Sequence, residues 1–169
     1  MTVHKIVLLA DPVLRQKAAP VEQVDDEIRQ LMEDMVETMY DAVGIGLAAP
    51  QIGISKRLIV MDCAKDDTSP EIWKMINPEI ISRSEETTKM EEGCLSIPGY
   101  NGDVTRPAEV EVRYMDIDGT AQQMTATGLL AACVQHEIDH LDGVLFIDYL
   151  SRLKRDMMLR KIAKDPAFK

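Results

Sequence analysis

Apolar residues recur at helical spacing from Asp25 to Tyr40, where Ile28, Leu31, Met32, Met35, Val36 and Met39 fall on one stripe. The pattern predicts an amphipathic helix over 25–40 with Gly44 just beyond its end, its methionines in the core and its acidic residues Glu33, Asp34 and Glu37 on a solvated face. Shorter apolar runs predict strands over 57–62, 73–76 and 79–84. A further pair, 109–116 and 122–127, meets at Asp118 and Gly119, a tight-turn dipeptide. A second helix is expected over 127–141, stopped by Gly143, and a last one over 151–163. Strands gathered before a central helix imply the α+β class, with small antiparallel sheets around that helix and further helices toward each terminus.

The chain has 169 residues with no linker, repeat or low-complexity stretch, which fits one domain spanning 1–169. The run Ile6–Ala10 is too short for a signal-peptide core or a membrane span, so a cytoplasmic protein without membrane contact is expected. Three cysteines, an odd number, argue for free thiols in a reducing compartment. Net charge is −10, unevenly placed: residues 151–169 carry seven Lys or Arg against two Asp, a local +5 that leaves −15 elsewhere. An acidic body does not suggest general nucleic-acid binding, and no DNA partner is expected.

The segment QHEIDH, Gln135 to His140, holds two of the three histidines, four residues apart. On a helix that interval puts both imidazoles on one face, Cβ atoms roughly 5–6 Å apart, within reach of one divalent ion. Glu137 points along a neighbouring direction, where it can hold a water and move its proton. Chance would supply this pattern in well under about 1% of chains this short. The site reads as hydrolytic.

A catalytic tetrahedral site needs a third protein ligand and keeps one position open. The HExxHxxGxxH arrangement is excluded, since Gly143 fits its glycine but Phe146 stands at its histidine. A downstream glutamate is excluded too, because residues 141–169 contain none. Asp148, His4, Cys63, Cys94 and Cys133 remain. Cys133, three residues before His136, suits packing or lining a pocket. Cys94 is the better choice, lying in EEGCLSIPG, a glycine- and proline-punctuated turn.

The stretch VGIGLAAPQIG, Val43 to Gly53, is rich in small residues, as where something approaches the backbone. GIGLAAPQ, EGCLSIPG and QHEIDHLDG, in that order, resemble the three signature segments of the peptide deformylase family, and the resemblance extends over essentially the whole chain. It implies an enzyme that removes the formyl group from N-formylmethionine at the start of nascent polypeptides, releasing formate. By position it implies Cys94, His136 and His140 as metal ligands with water in the fourth place, and Glu137 as general base. It further implies the Gln51 amide and the Leu95 N–H as oxyanion donors. Helix geometry puts Leu129, Ala132 and Cys133 on the face of His136 as an apolar floor suited to methionine; the resemblance adds Ile45, Gly46 and Met90, and a GIG edge to which an extended peptide could add.

The chain departs from the family pattern at Asn101, where many bacterial members have arginine, which puts contacts beyond the first substrate residue in question. Thr125, Ala126 and Thr127 replace an acidic run before the metal helix, a change expected to be neutral because Thr and Asp both cap helices. A thiolate with two imidazoles suits Fe2+, Zn2+, Ni2+ or Co2+. The resemblance favours Fe2+ in the cell. The basic terminal segment 151–169 has two readings of equal weight: a solvated helix face, and a docking surface for ribosomal RNA, which the resemblance also implies. The competing functions are a zinc peptidase cutting internal bonds and a noncatalytic formyl-peptide binder.

Overall fold

The computed structural model describes residues 2–64 and 69–169. The first helix, α1 (Asp26–Asp41), starts where the Asp25 carboxylate accepts from the Ile28 N–H at 2.9 Å, with Asp26 and Glu27 in its first turn. Its stripe of Ile28, Met32, Met35, Val36 and Met39 packs on Leu47, Leu58, Val60 and Ile76. One acidic residue departs from the expected solvated face. Asp34 is buried, where it accepts hydrogen bonds from the Thr2 N–H and the Gln30 amide, because the N-terminal segment crosses the helix there. The left-handed residue that ends α1 is Val43 (φ 58°) rather than Gly44, whose N–H closes the turn onto the Met39 carbonyl at 2.9 Å.

A five-stranded antiparallel sheet follows, built from β1 (Gly46–Ala48), β2 (Leu58–Asp62), β3 (Ile72–Arg83), β6 (Glu109–Met115) and β7 (Ala121–Thr127), ordered β1-β2-β3-β6-β7. The two runs expected over 73–84 form the single strand β3. Its register shifts around Asn77 (φ 51°), whose side chain bonds both the N–H and the carbonyl of Val21 at 2.8 Å. The β6–β7 turn is the expected one: Gly119 has φ 78°, and Asp116 accepts from the Asp118 and Thr120 N–H groups.

A second, two-stranded ribbon, β4 (Thr87–Cys94) with β5 (Ile97–Pro107), covers the segment 91–99 that the sequence marks as a turn together with flanking residues for which no strand is expected. About half of its side chains are exposed and its buried positions include the charged Glu92 and Arg106, so it shows little alternation of apolar and polar positions.

Helix α2 (Gly128–Leu141) is buried along most of its length, packing Ala131, Val134, Ile138 and Leu141 on the main sheet. Thr127 makes no side-chain cap, against the expected Thr-for-Asp equivalence; Gly128 at φ 58° turns the chain into the helix instead. Gly143 is the stop, at φ 75°, where a Cβ would lie 2.7 Å from the Arg15 carbonyl oxygen. A 3-10 turn, Phe146–Tyr149, carries Phe146 into a third apolar cluster with Ile97, Val104 and Ile162. Helix α3 (Arg152–Lys164) buries Ile162 alone among its residues. Among the described residues no helix is long and apolar enough to cross a membrane.

Candidate metal centre and cleft

One turn of α2 separates His136 from His140, and their Nε2 atoms lie 3.2 Å apart. Cys94 closes β4, where the ladder shifts register after Gly93, and its Sγ lies 3.4 Å from His140 Nε2. All three donor atoms fall within 4.8 Å of one another. Bonds of about 2.0–2.1 Å to nitrogen and about 2.3 Å to sulfur at tetrahedral angles require roughly 3.4 Å between nitrogens and roughly 3.5 Å from sulfur to nitrogen. The donor set therefore fits a tetrahedral cation with one position left over.

A buried ionic chain holds the His136 ring. Its Nδ1 lies 3.0 Å from Glu92 Oε1, which directs Nε2 toward the other donors. Phe146 stacks on the same ring at 6.4 Å. Arg106 grips Glu92 through two bonds of 2.7 and 3.0 Å and reaches Asp139 at 2.9 Å, which in turn accepts from the Tyr149 hydroxyl. Burial alone would raise the Glu92 pKa; the hydrogen bonds from His136 and Arg106 outweigh it and hold the carboxylate ionised. Sequence reading missed Glu92, Arg106 and Asp139. Reading 87–94 as a strand would have found the first, because Met90, Glu92 and Cys94 alternate onto one face.

The remaining polar groups of the site sit in contrasting environments. Glu137 is buried, its Oε2 lacks a hydrogen-bond partner among the described residues, and burial pushes its pKa up to about 7. Gly46 makes room for it: a Cβ there would stand 2.6 Å from Glu137 Oε1. Burial, then the neighbouring His136, drives His140 well below its usual range to the neutral form a ligand needs. Burial opposes charge on His136 as well, but the bonds to Cys94 and Glu92 overcome it and lift the pKa to about 10, so a bound cation would compete with that proton. Gln51 sits in a 3-10 turn, Ala49–Ile52. Its Oε1 accepts from the Ala48 N–H at 3.0 Å, which fixes the amide so that Nε2 donates to Ser96 Oγ (3.2 Å) beside Cys94 Sγ (3.5 Å).

A cavity of about 520 Å³ opens onto this centre and is lined by Ile45, Gly46, Gln51, Met90, Cys94, Leu95, Leu129, Ala132, Cys133, His136 and Glu137 among others. Every site residue expected from sequence except His140, which lies beneath, thus faces one cleft. A family model, polypeptide deformylase, matches residues 3–156. The chain is 56% identical over 164 residues to a peptide deformylase of Rhizobium meliloti, covering 97% of this chain and 94% of that protein. The chain belongs to the polypeptide deformylase family.

The fold is similar to a peptide deformylase of Synechococcus elongatus in complex with actinonin (TM-score 0.90, 48% identity, 95% of this chain and 88% of that one). It is equally similar to one from Ehrlichia chaffeensis, also with actinonin (TM-score 0.90, 43% identity, 97% and 98% covered). As a deformylase the chain is a hydrolase that removes the N-formyl group from nascent peptides. Within the deformylase cleft Leu129 is 48% exposed, so it forms the rim rather than the floor that helix geometry suggested. The edge of β1 borders the cleft and, among the described residues, has no strand partner on the side away from β2. The other ligand candidates lie elsewhere: Asp148 pairs with Arg15 at 2.7 Å, His4 sits 3.6 Å from Asp34, and Cys133 Sγ contacts the Ile45 carbonyl at 3.7 Å. Cys63 packs with Cys133 against the main core. Asn101 covers Gly93 and lines a separate groove beside α3 rather than this deformylase cleft.

Proposed function

We propose that Cys94, His136 and His140 hold one divalent ion and that Glu137, Gln51 and Leu95 carry the chemistry of deformylation within a single catalytic unit spanning 1–169. The observation that carries the reading is the convergence of three donor atoms within 4.8 Å beside the buried Glu137 Oε2, which has no hydrogen-bond partner among the described residues. When bound, the ion supplies Lewis acidity and lowers the pKa of its water toward about 7, which makes a nucleophile for the formyl carbon at neutral pH. Glu137 takes the water's proton and delivers it to the departing amine, so that formate and a free amino terminus result. The Gln51 Nε2 and the Leu95 N–H donate to the oxygen on which charge develops, each such donor worth about 2.7–4 kcal/mol in the transition state. Ile45, Gly46, Met90, Ala132 and Cys133 enclose the formylmethionine side chain with Leu129 at the mouth, while the peptide extends along the β1 edge.

Fe2+ is the ion proposed in the cell, with Zn2+, Ni2+ or Co2+ able to occupy the same donors in purified protein. The cytoplasm is the compartment that fits a nascent-chain substrate. The exposed basic residues of 151–169 are the proposed ribosome contact; a truncation before Lys154 that leaves ribosome affinity unchanged removes that element. Metal analysis after oxygen-free purification, paired with formate release from formyl-Met peptides against acetyl-Met controls, tests the whole. One iron per chain, activity that decays in air and returns with Ni2+, and inhibition by actinonin are expected. Cleavage of an internal amide, or turnover unchanged by Glu137→Ala, would overturn it.

A further inference from the structure

Two thiols outside the metal centre lie together behind the cleft, which Cys133 lines. Cys63 follows β2 and is partly exposed; Cys133, on α2, is buried. They pack together on the main core and are near enough to hydrogen-bond. The main chain ties both to one point: the Ile45 carbonyl accepts from the Asp62 N–H at 2.9 Å and from Cys133 Sγ at 3.7 Å. Cys133 also stands against Gly46, where a Cβ would meet its sulfur at 2.9 Å. We propose that Cys63 and Cys133 form a reversible disulfide under peroxide, a modification site that reshapes the methionine pocket without touching the metal ligands.

The order of events follows from the two environments. The Cys133 hydrogen bond lowers the Cys63 pKa although burial and the Glu137 charge oppose it, whereas the same bond, burial and Glu137 raise Cys133 well above a normal thiol. Cys63, the more accessible and more ionised, attacks hydrogen peroxide: an S–O bond forms, the O–O bond breaks, and water leaves with Cys63 as sulfenic acid. The Cys133 sulfur then attacks that sulfur. An S–S bond forms, the S–O bond breaks, and hydroxide leaves as water with the Cys133 proton. The thiols lose two electrons and the peroxide gains two. Cys133 thereby gives up its contact to the Ile45 carbonyl and draws away from Gly46, loosening both the pocket and the β1 edge.

The experiment uses protein loaded with redox-stable Ni2+, so that Cys94 is held by the ion, treated with stoichiometric hydrogen peroxide. Thiols titrated after denaturation fall from three per chain to one. Proteolysis under non-reducing conditions gives one peptide that joins Cys63 to Cys133, and dithiothreitol restores both thiols. In Cys63→Ser protein, with basal activity unchanged, no such peptide forms. KM for formyl-Met peptides rises on oxidation while kcat changes less, and reduction reverses it. The mass and thiol readouts are independent of the pocket assignment; only the KM readout rests on it. Oxidation confined to Cys94, or two intact thiols at Cys63 and Cys133 after treatment, would refute the proposal.

Discussion

Gly46→Ala is the most discriminating perturbation of the cleft. The new Cβ would lie 2.6 Å from Glu137 Oε1, 2.9 Å from Cys133 Sγ and 3.0 Å from Glu137 Cδ. An ordinary carbon–oxygen contact is about 3.4 Å, so the carboxylate must retreat by roughly 0.8 Å in an interior packed too closely to absorb the shift elsewhere. Misplacing a catalytic group by about 1 Å costs on the order of a hundredfold. We expect kcat/KM for formyl-Met peptides to fall about 10- to 100-fold, equivalent to roughly 1.4–2.7 kcal/mol of transition-state stabilisation. Overpacking should lower stability by about 1–3 kcal/mol, and the metal content should be unchanged because no ligand is displaced. A formate-release assay with thermal melting and metal analysis on the same preparation separates these effects. A folded, fully metallated variant with kcat/KM within about twofold of the parent would refute the inference that Glu137 works from its observed position.

Three further outcomes follow from the geometry. Glu92→Gln removes the carboxylate that orients His136 and pairs with Arg106, so metal affinity in a chelator competition should weaken about 10- to 100-fold. For Asp148, burial would raise the pKa, but the two bonds from Arg15 and one from the Leu145 N–H lower it below 3.8. Its contribution is therefore complete above the unfolded-state pKa and disappears as pH falls through the folded-state value, so Asp148→Asn should lower the urea midpoint at pH 7 and match the parent in strong acid. Val43 is 91% exposed at φ 58°, a conformation costing a β-branched residue roughly 1–2 kcal/mol, part of which is offset by the backbone entropy of glycine. Val43→Gly should raise the melting temperature by about 1–3 °C, measured by calorimetry.

Local pattern exposed four elements for different reasons: α1 and the β6–β7 hairpin repeat apolar residues at their own periods, β2 is a short continuous apolar run buried on both faces, and α2 carries the His136–His140 interval with Gly143 as its stop. The β4–β5 ribbon escaped because its buried positions include the charged Glu92 and Arg106, so no apolar repeat marks its inward face. Asp34 was misread for a related reason: helix position says which face a residue occupies, not which distant segment crosses it.

By itself the sequence determined the chemistry available to this protein. Two histidines four apart with a glutamate between are brought together by helix geometry alone, and the small-residue stretch around Gly46 marks where a chain must come close. Only the tertiary structure decided how that chemistry is held. Cys94 joins His140 across 46 residues, and Glu92, Arg106 and Asp139 assemble from β4, β5 and α2 into the support behind His136. Such partners are chosen by strand register and helix packing, which no local pattern encodes.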